Sequence, residues 1–386
     1  MTKQATEAGG TTARNADFTD LVAILENQQG RKLDVVVAAP ALTAENANLI
    51  IRGVDPLIEN DGVTDVNGIY RPTHVADEGI ADKLGIPVAY LRKMRARVPE
   101  LYDLNVQGWL EHDPAQTFLV RAFRGEQGPD GQPGPGVARA VLSRSYKRID
   151  NLDLLTAALD GIRASGHPVQ VASCDLTDRR MYVRVKSEAV AVEARALMRG
   201  YRSPFSGKTA EELPLVFAGF KITNSEVGSG AFALTPYAEF EVCSNGMKIG
   251  KALREVHLGS KQDEGVVKWS DTTQEKILEV ISSKTADAVK TFLSESYLTD
   301  RLHSLEEDAA RPISDPAKTV EQVTKQLSIP EATRRTVLDH FIKGGQNTAG
   351  GVMQAVTSTA QTLADADAAH DLEAQALPAL ALAAKA

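Results

Sequence analysis

Three pairs of short alternating runs, each pair joined by a local turn, limit the folds open to this chain more than any other feature. Thr117 to Phe123 pairs with Val137 to Leu142, Val169 to Cys174 with Arg180 to Lys186, and Leu213 to Asn224 with Gly230 to Cys243. Apolar residues recur at every second position, the period of a half-buried strand. The connections turn the chain: the Pro/Gly-rich RGEQGPDGQPGPG, the stretch Asp175 to Asp178, and Gly228-Ser229-Gly230. Strands joined this way pair antiparallel, and no regular strand-helix-strand alternation competes with them. The sequence therefore predicts an α+β fold: an antiparallel sheet of successive hairpins with packed helices. A bulge is expected at Thr235 and Pro236, because proline cannot donate to a ladder.

Helical spacing marks the rest. Asp17 to Asn27 is amphipathic, Thr73 reads as an N-cap for a helix from Val75 to Leu84, and Asn151 to Ser165 is a helix stopped by Gly166. Leu33 to Val37 and Ala47 to Val54 read as further strands, and Ala189 to Arg199 as weakly helical. Ile80 to Met94 has the spacing of a helix-turn-helix, with Gly85 at the turn and Pro87 opening the second helix. Its Leu91, Met94 and Val98 would form one stripe, setting Arg92, Lys93 and Arg97 on the opposite, exposed face. From Asp271 onward the pattern is helical, including one helix from Gln274 to Leu298. The expected division is a disordered tail over 1–17, an α+β core over 18–270 and a helical C-terminal subdomain over 271–386. DKLGIPVAYLRKM near Lys83 is echoed by KQLSIPEATRRTV near Lys325.

Composition narrows the function classes. The 386 residues are 43% hydrophobic and 24% charged, with net charge -8, which excludes a histone-like polyanion binder. Cations nevertheless outnumber acids between Lys83 and Arg148, so a local basic face is expected. The 2 cysteines, Cys174 and Cys243, cannot build a disulfide framework and suit a reducing cytoplasm. No apolar run approaches the ~20 residues that span a bilayer, and the first residues lack a signal-peptide core. The histidines form no metal-ligand pair, and Walker A, GxGxxG and GxSxG motifs are absent.

Polar chemistry concentrates in three places. ARAVLSRSYKRIDN, Ala138 to Asn151, is a strand delivering Arg139, Arg144, Tyr146, Lys147, Arg148, Asp150 and Asn151 to one loop. Arginine and lysine there would neutralise phosphates while Tyr146 stacks on a base. The same cations could equally form local salt bridges. Asn224 lies at the third hairpin, and Glu239, Glu241 and Asn245 lie at the end of the strand that follows. Two carboxylates two residues apart on a strand share a face, a geometry that suits a divalent cation, the one cofactor suggested here. A plain solvent face explains them as well.

Taken in order, KLGIPVAYLRKM, RAVLSRSYKRIDN, FKITNSEVGSGAF followed by FEVCSNGMKI, and GGQNTAGGVMQAVTSTAQTLADADAAHDLE resemble a phage and plasmid-like family of uncharacterised proteins, domain-of-unknown-function family 932. The likeness is most specific in LSRSYKRIDN and VCSNG. Where the family pattern carries an acid before the arginine, this chain has Ser143, so no acid role transfers to that position. The resemblance implies a product of phages or mobile elements, located in the bacterial cytoplasm and working near DNA metabolism such as replication or recombination.

Three functions are compatible with these residues. The first is binding of DNA, single strands preferred, by Arg92, Lys93, Arg97, Arg139, Arg144, Tyr146, Lys147 and Arg148. The second is metal-dependent phosphodiester cleavage in a polar cleft of Asp150, Asn151, Asn224, Glu239, Glu241 and Asn245. The third is a structural or host-interaction role in which the C-terminal helices assemble a homo-oligomer. All require that the polar groups open onto one shared pocket.

Overall fold

The computed structural model describes residues 12–59, 62–126, 134–146, 149–243, 245–255 and 271–386. The chain begins with β1 (Ala13–Ala16) and α1 (Phe18–Arg31), then enters a run of short strands. These are β2 (Lys32–Ala38), β3 (Leu42–Glu45), β4 (Asn48–Ile51), β5 (Leu57–Glu59), β6 (Gly62–Thr64) and β7 (Gly68–Pro72). Three helices follow, α2 (His74–Leu84), α3 (Val88–Arg97) and α4 (Pro99–His112), then β8 (Thr117–Phe123) and β9 (Gly136–Ser143). After α5 (Asn151–Ser165) come β10 (Gln170–Leu176), β11 (Met181–Glu193), β12 (Leu215–Asn224), β13 (Phe232–Phe240), β14 (Asn245–Lys248) and β15 (Leu253–Glu255). The remaining helices are α6 (Asp271–Phe292), α7 (Glu295–Ala309), α8 (Pro316–Gln326), α9 (Glu331–Gly344), α10 (Ala349–Ala360), α11 (Ala366–Ala374) and α12 (Ala376–Ala383).

The fold is α+β with antiparallel sheets and a C-terminal helical region, as the hairpin pattern predicts. The strands form two large sheets rather than one. The first has order β2-β8-β9-β7-β4-β3 and is antiparallel except where β7 lies parallel to β9. It shares an apolar cluster with α2, α3 and α4, through Leu33, Val35, Tyr70, Ile80, Leu91, Tyr102 and Val120. The second has order β1-β10-β11-β12-β13-β14, with β15 also on β13. Its cluster takes in α1, α5 and the helices from α6 onward, so the C-terminal helices and this sheet bury apolar surface together.

The chain therefore starts in the second sheet, leaves to build the first, and returns. Residues 13–16 are strand and not disordered tail, for a reason encoded far away: Asp175 accepts the Asn15 backbone N–H at 2.7 Å and pairs with Arg14 at 2.8 Å. Residues 1–11 lie outside the described residues.

Three local expectations are corrected. Ala189 to Arg199 is not a helix: after a register shift between Ser187 and Ala191, β11 continues to Glu193, and turns follow. No bulge occurs at Thr235 and Pro236, where β12 and β13 keep unbroken register. Pro236 is tolerated because the outer partner of β13 changes there, from β15 at Phe232 to Leu234 to β14 from Tyr237 onward. The helix drawn from Gln274 to Leu298 breaks at Leu293, and Ser294 caps α7 by accepting the Tyr297 N–H at 3.2 Å.

The internal echo is structural. Leu84-Gly85-Ile86-Pro87 and Leu327-Ser328-Ile329-Pro330 each end one helix and open the next. Gly85 has φ 68° and Ser328 has φ 54°, and each turn buries its isoleucine. The N–H of Ile86 reaches Ala81 O and that of Ile329 reaches Thr324 O, both at 2.9 Å, closing the helix end in the same way twice.

Candidate functional site

Much of the cationic strand-to-helix corner folds inward, into a polar knot between the two sheets. Arg121, in the middle of β8, sits opposite Asp34 of β2 and has no exposed surface. Its Nε and Nη2 donate to the Asp34 carboxylate at 2.7 and 2.9 Å. Nη2 also reaches Asp150 Oδ1 at 2.6 Å, and Nη1 reaches the Glu226 backbone carbonyl at 2.6 Å. Asp150 occupies the N-cap position of α5 but caps nothing, because its carboxylate is held by Arg121 and Lys32. Glu226 accepts from Arg139 Nη2 and from the Asn151 N–H, both at 2.6 Å, and the Arg139 guanidinium lies 4.3 Å from the Phe123 ring centre. Asn224 donates to Ile149 O and Asn151 Oδ1 at 3.2 and 2.9 Å, and Tyr146 donates to Ser225 O at 3.4 Å.

Burial alone would raise the Asp150 pKa, but the charges of Arg121 and Lys32 outweigh it and hold the carboxyl at about 2. Burial likewise opposes the charge on Arg121, and Asp34 and Asp150 raise its pKa above the usual value all the same. Among the described residues three cations, Lys32, Arg121 and Arg139, face three carboxylates, Asp34, Asp150 and Glu226. The knot brings together Arg139, Tyr146, Asp150, Asn151 and Asn224, but among the described residues its charges balance, and it welds one sheet to the other.

The helical hairpin is corrected in part. Arg92 is turned inward, donating to Glu78 at 2.7 Å and to His74 O at 2.8 Å. Glu78 also takes both Nη groups of Arg179; that hydrogen-bonded guanidinium and Arg92 together overcome burial and lower the carboxyl to about 2. Val98 ends α3 and is 46% exposed, so it does not join the Leu91 and Met94 stripe. Lys93 and Arg97 are exposed, with no ion pair among the described residues. Tyr90, 46% exposed, shares their side of the helix at spacing i, i+3, i+7. Arg144 is exposed in the turn after β9, while Lys147 and Arg148 lie outside the described residues.

Beneath this hairpin Asp77 is fully buried, 2.7 Å from Arg95 Nη2. Burial raises its pKa to about 6, with Arg95 and Arg92 only partly opposing. A folded-state pKa above the unfolded one means stability is present at low pH and declines as pH rises from about 4 through 6. Asp77→Asn should therefore gain on the wild type by about 2–3 kcal/mol between pH 4 and pH 7. Urea denaturation of both proteins at the two pH values measures this, and a constant difference would refute it.

The carboxylate pair does not form. Glu239 is held by Lys186 at 2.9 Å and by Tyr237 OH at 3.3 Å, whereas Glu241 lies in the turn beyond the end of β13. Asn245 opens β14 opposite Phe240; its side chain and Ser244 lie outside the described residues. Among the described residues no cluster of His, Cys, Asp or Glu suits a metal ion. Nor is there one shared cleft. Glu239 pairs with Phe217 while Asn224 ends β12 seven residues on, a separation of about 23 Å at the ~3.3 Å rise of a strand.

A second polar group went unread in the sequence. Arg184 of β11 stands directly opposite Lys221 of β12, and Glu373 of α11 answers both, at 3.1 Å each. His370, also on α11, places Nε2 2.8 Å from Asp175 Oδ2 and stacks on Tyr182 with ring centres 3.8 Å apart. Burial, then the Lys221 charge, lowers the His370 pKa, keeping the ring neutral. Like charges facing each other across a ladder are unfavourable without a third partner, and that facing pair was the available signal.

No family model, curated protein or solved structure matches this chain.

Proposed function

We propose that the protein binds nucleic acid, single strands in preference, through the exposed side of α3, in keeping with an origin in phage or mobile-element DNA metabolism. One observation carries the reading: Tyr90, Lys93 and Arg97 line one side of α3, with the two cations unpaired among the described residues. An aromatic with two cations beyond it on the same side offers a stacking face beside phosphate neutralisation, which favours unpaired bases. Among the described residues Arg144 is a further exposed cation of the expected set, whereas Arg92 and Arg139 are spent on Glu78 and Glu226.

Titrating a labelled oligothymidylate with the full chain across a salt series tests this. Replacing Lys93 and Arg97 by alanine should flatten the dependence of log K on log salt by about 1.4, at ~0.7 per lost single-strand phosphate contact. Tyr90→Ala should weaken binding about tenfold or more without changing that slope. Undetectable binding, or an unchanged slope in the double variant, would exclude α3 as the interface.

A further inference from the structure

We propose that the cavity between the second sheet and α11 is a binding site for one phosphoryl group, either inorganic phosphate or the head of a phosphate monoester. This site lies on different elements from α3, and the inference is independent of the nucleic-acid reading. The cavity has a volume of about 110 Å³ and is lined by Arg184, Lys221, Thr235, Tyr237, Lys248 and Glu373, with Ala374 at its exposed mouth. At roughly 30 Å³ per water, it holds the space of three or four waters, which suits a tetrahedral oxyanion.

Its charge is unbalanced. Among the described residues that line it, Arg184, Lys221 and Lys248 face a single carboxylate, Glu373, which Arg184 and Lys221 already share. The neighbouring acids are committed elsewhere: Glu239 to Lys186 at 2.9 Å, and Asp175 to Arg14 and His370 at 2.8 Å each. Half-buried Lys248 has no ion pair among the described residues. The Arg184 Nε is buried without a hydrogen-bond partner, although a buried donor left unmade is costly. Cations gathered in low dielectric around too little negative charge call for a further anion. Arginine, lysine and hydroxyl donors converging from several directions match the spread oxygens of a phosphate dianion better than a planar carboxylate.

The donors come from four strands at two neighbouring register levels, two residues apart along β13. Arg184 pairs with Lys221, Lys221 with Thr235, and Tyr237 with Lys248, so the sheet itself spaces them. Glu373 from the helix above then acts as a placeholder, neutralising two cations when no ligand is bound.

Calorimetry and thermal denaturation of the full chain with inorganic phosphate, glycerol phosphate and chloride test the proposal. Saturable binding of phosphate or of the monoester is expected at or below about 1 mM, with a matching rise in Tm that chloride does not produce. The tighter of the two identifies the source, free ion or monoester. Lys248→Gln, on the half-buried rim, should weaken binding at least tenfold. Glu373→Gln should lower the Tm of the free protein yet increase the rise that phosphate produces, because the placeholder is gone. A purely structural Glu373 would lower Tm and leave the phosphate response unchanged. That result, an unchanged affinity in Lys248→Gln, or no saturable binding below about 10 mM, would overturn the assignment.

Discussion

Arg121→Met is expected to lower stability by about 3–5 kcal/mol at pH 7, the usual penalty for removing one partner of a buried ionic group. Two carboxylates and a carbonyl each lose a donor together, and the side chains of Asp34 and Asp150 are only 6% and 12% exposed. Methionine fills most of the volume, so the loss reports on charge and not on a void. The pH dependence identifies the cause. In the wild type, Asp150 with its pKa near 2 contributes stability that is present above the unfolded value and lost as pH falls toward 2. In the variant the same carboxyl lacks its main cation, takes up a proton more readily, and the deficit narrows between pH 7 and pH 4. Urea denaturation at both values measures this. A deficit below about 1 kcal/mol at pH 7 would show the knot to be a surface-like pair.

Gly161→Ala is expected to destabilise by about 3 kcal/mol, although alanine is the better helix former by ~1 kcal/mol. A Cβ at Gly161 would sit 2.3 Å from the Ser282 carbonyl oxygen and 2.7 Å from Thr285 Cβ, both on α6. Backbone cannot rotate away as a side-chain tip can, so the two helices must separate along their shared apolar contact. Gly108, exposed on α4 with nothing within 4 Å of its would-be Cβ, provides the control. The same substitution there should stabilise by about 0.5–1 kcal/mol. Opposite signs in thermal denaturation confirm the reading; two stabilised variants would refute it.

Local chemistry was legible in the chain. α5 spans Asn151–Ser165 with Gly166 at φ 72°, and Gly85 and Pro87 close one helix and open the next as expected. These positions are decided within a few residues by glycine conformation and proline geometry. Partners remote in sequence were not legible. Arg92 and Arg139 counted toward a cationic excess between residues 83 and 148, yet the acids that neutralise them, Glu78 and Glu226, lie outside that window. Arg121 counts toward the same excess and falls in the strand Thr117 to Phe123, and neither fact names its partner. The available signal was a lone cation in TFLVRAF and a lone acid in LDVVV, which only strand pairing brings together. The parallel contact of β7 with β9 likewise needs the helices between them to be in place.

The excursion of the chain out of the second sheet and back has a consequence for synthesis. Arg14 donates to the carbonyl of Leu363, 349 residues later, and its strand neighbour Asp175 lies 161 residues away. At roughly 5–20 residues per second, a ribosome takes on the order of 20–70 s to deliver that last contact. The first sheet, drawn from the contiguous stretch 32–143, can close during this interval. Until β10 emerges, β1 waits with its edge unpaired, a candidate for chaperone attention over that interval.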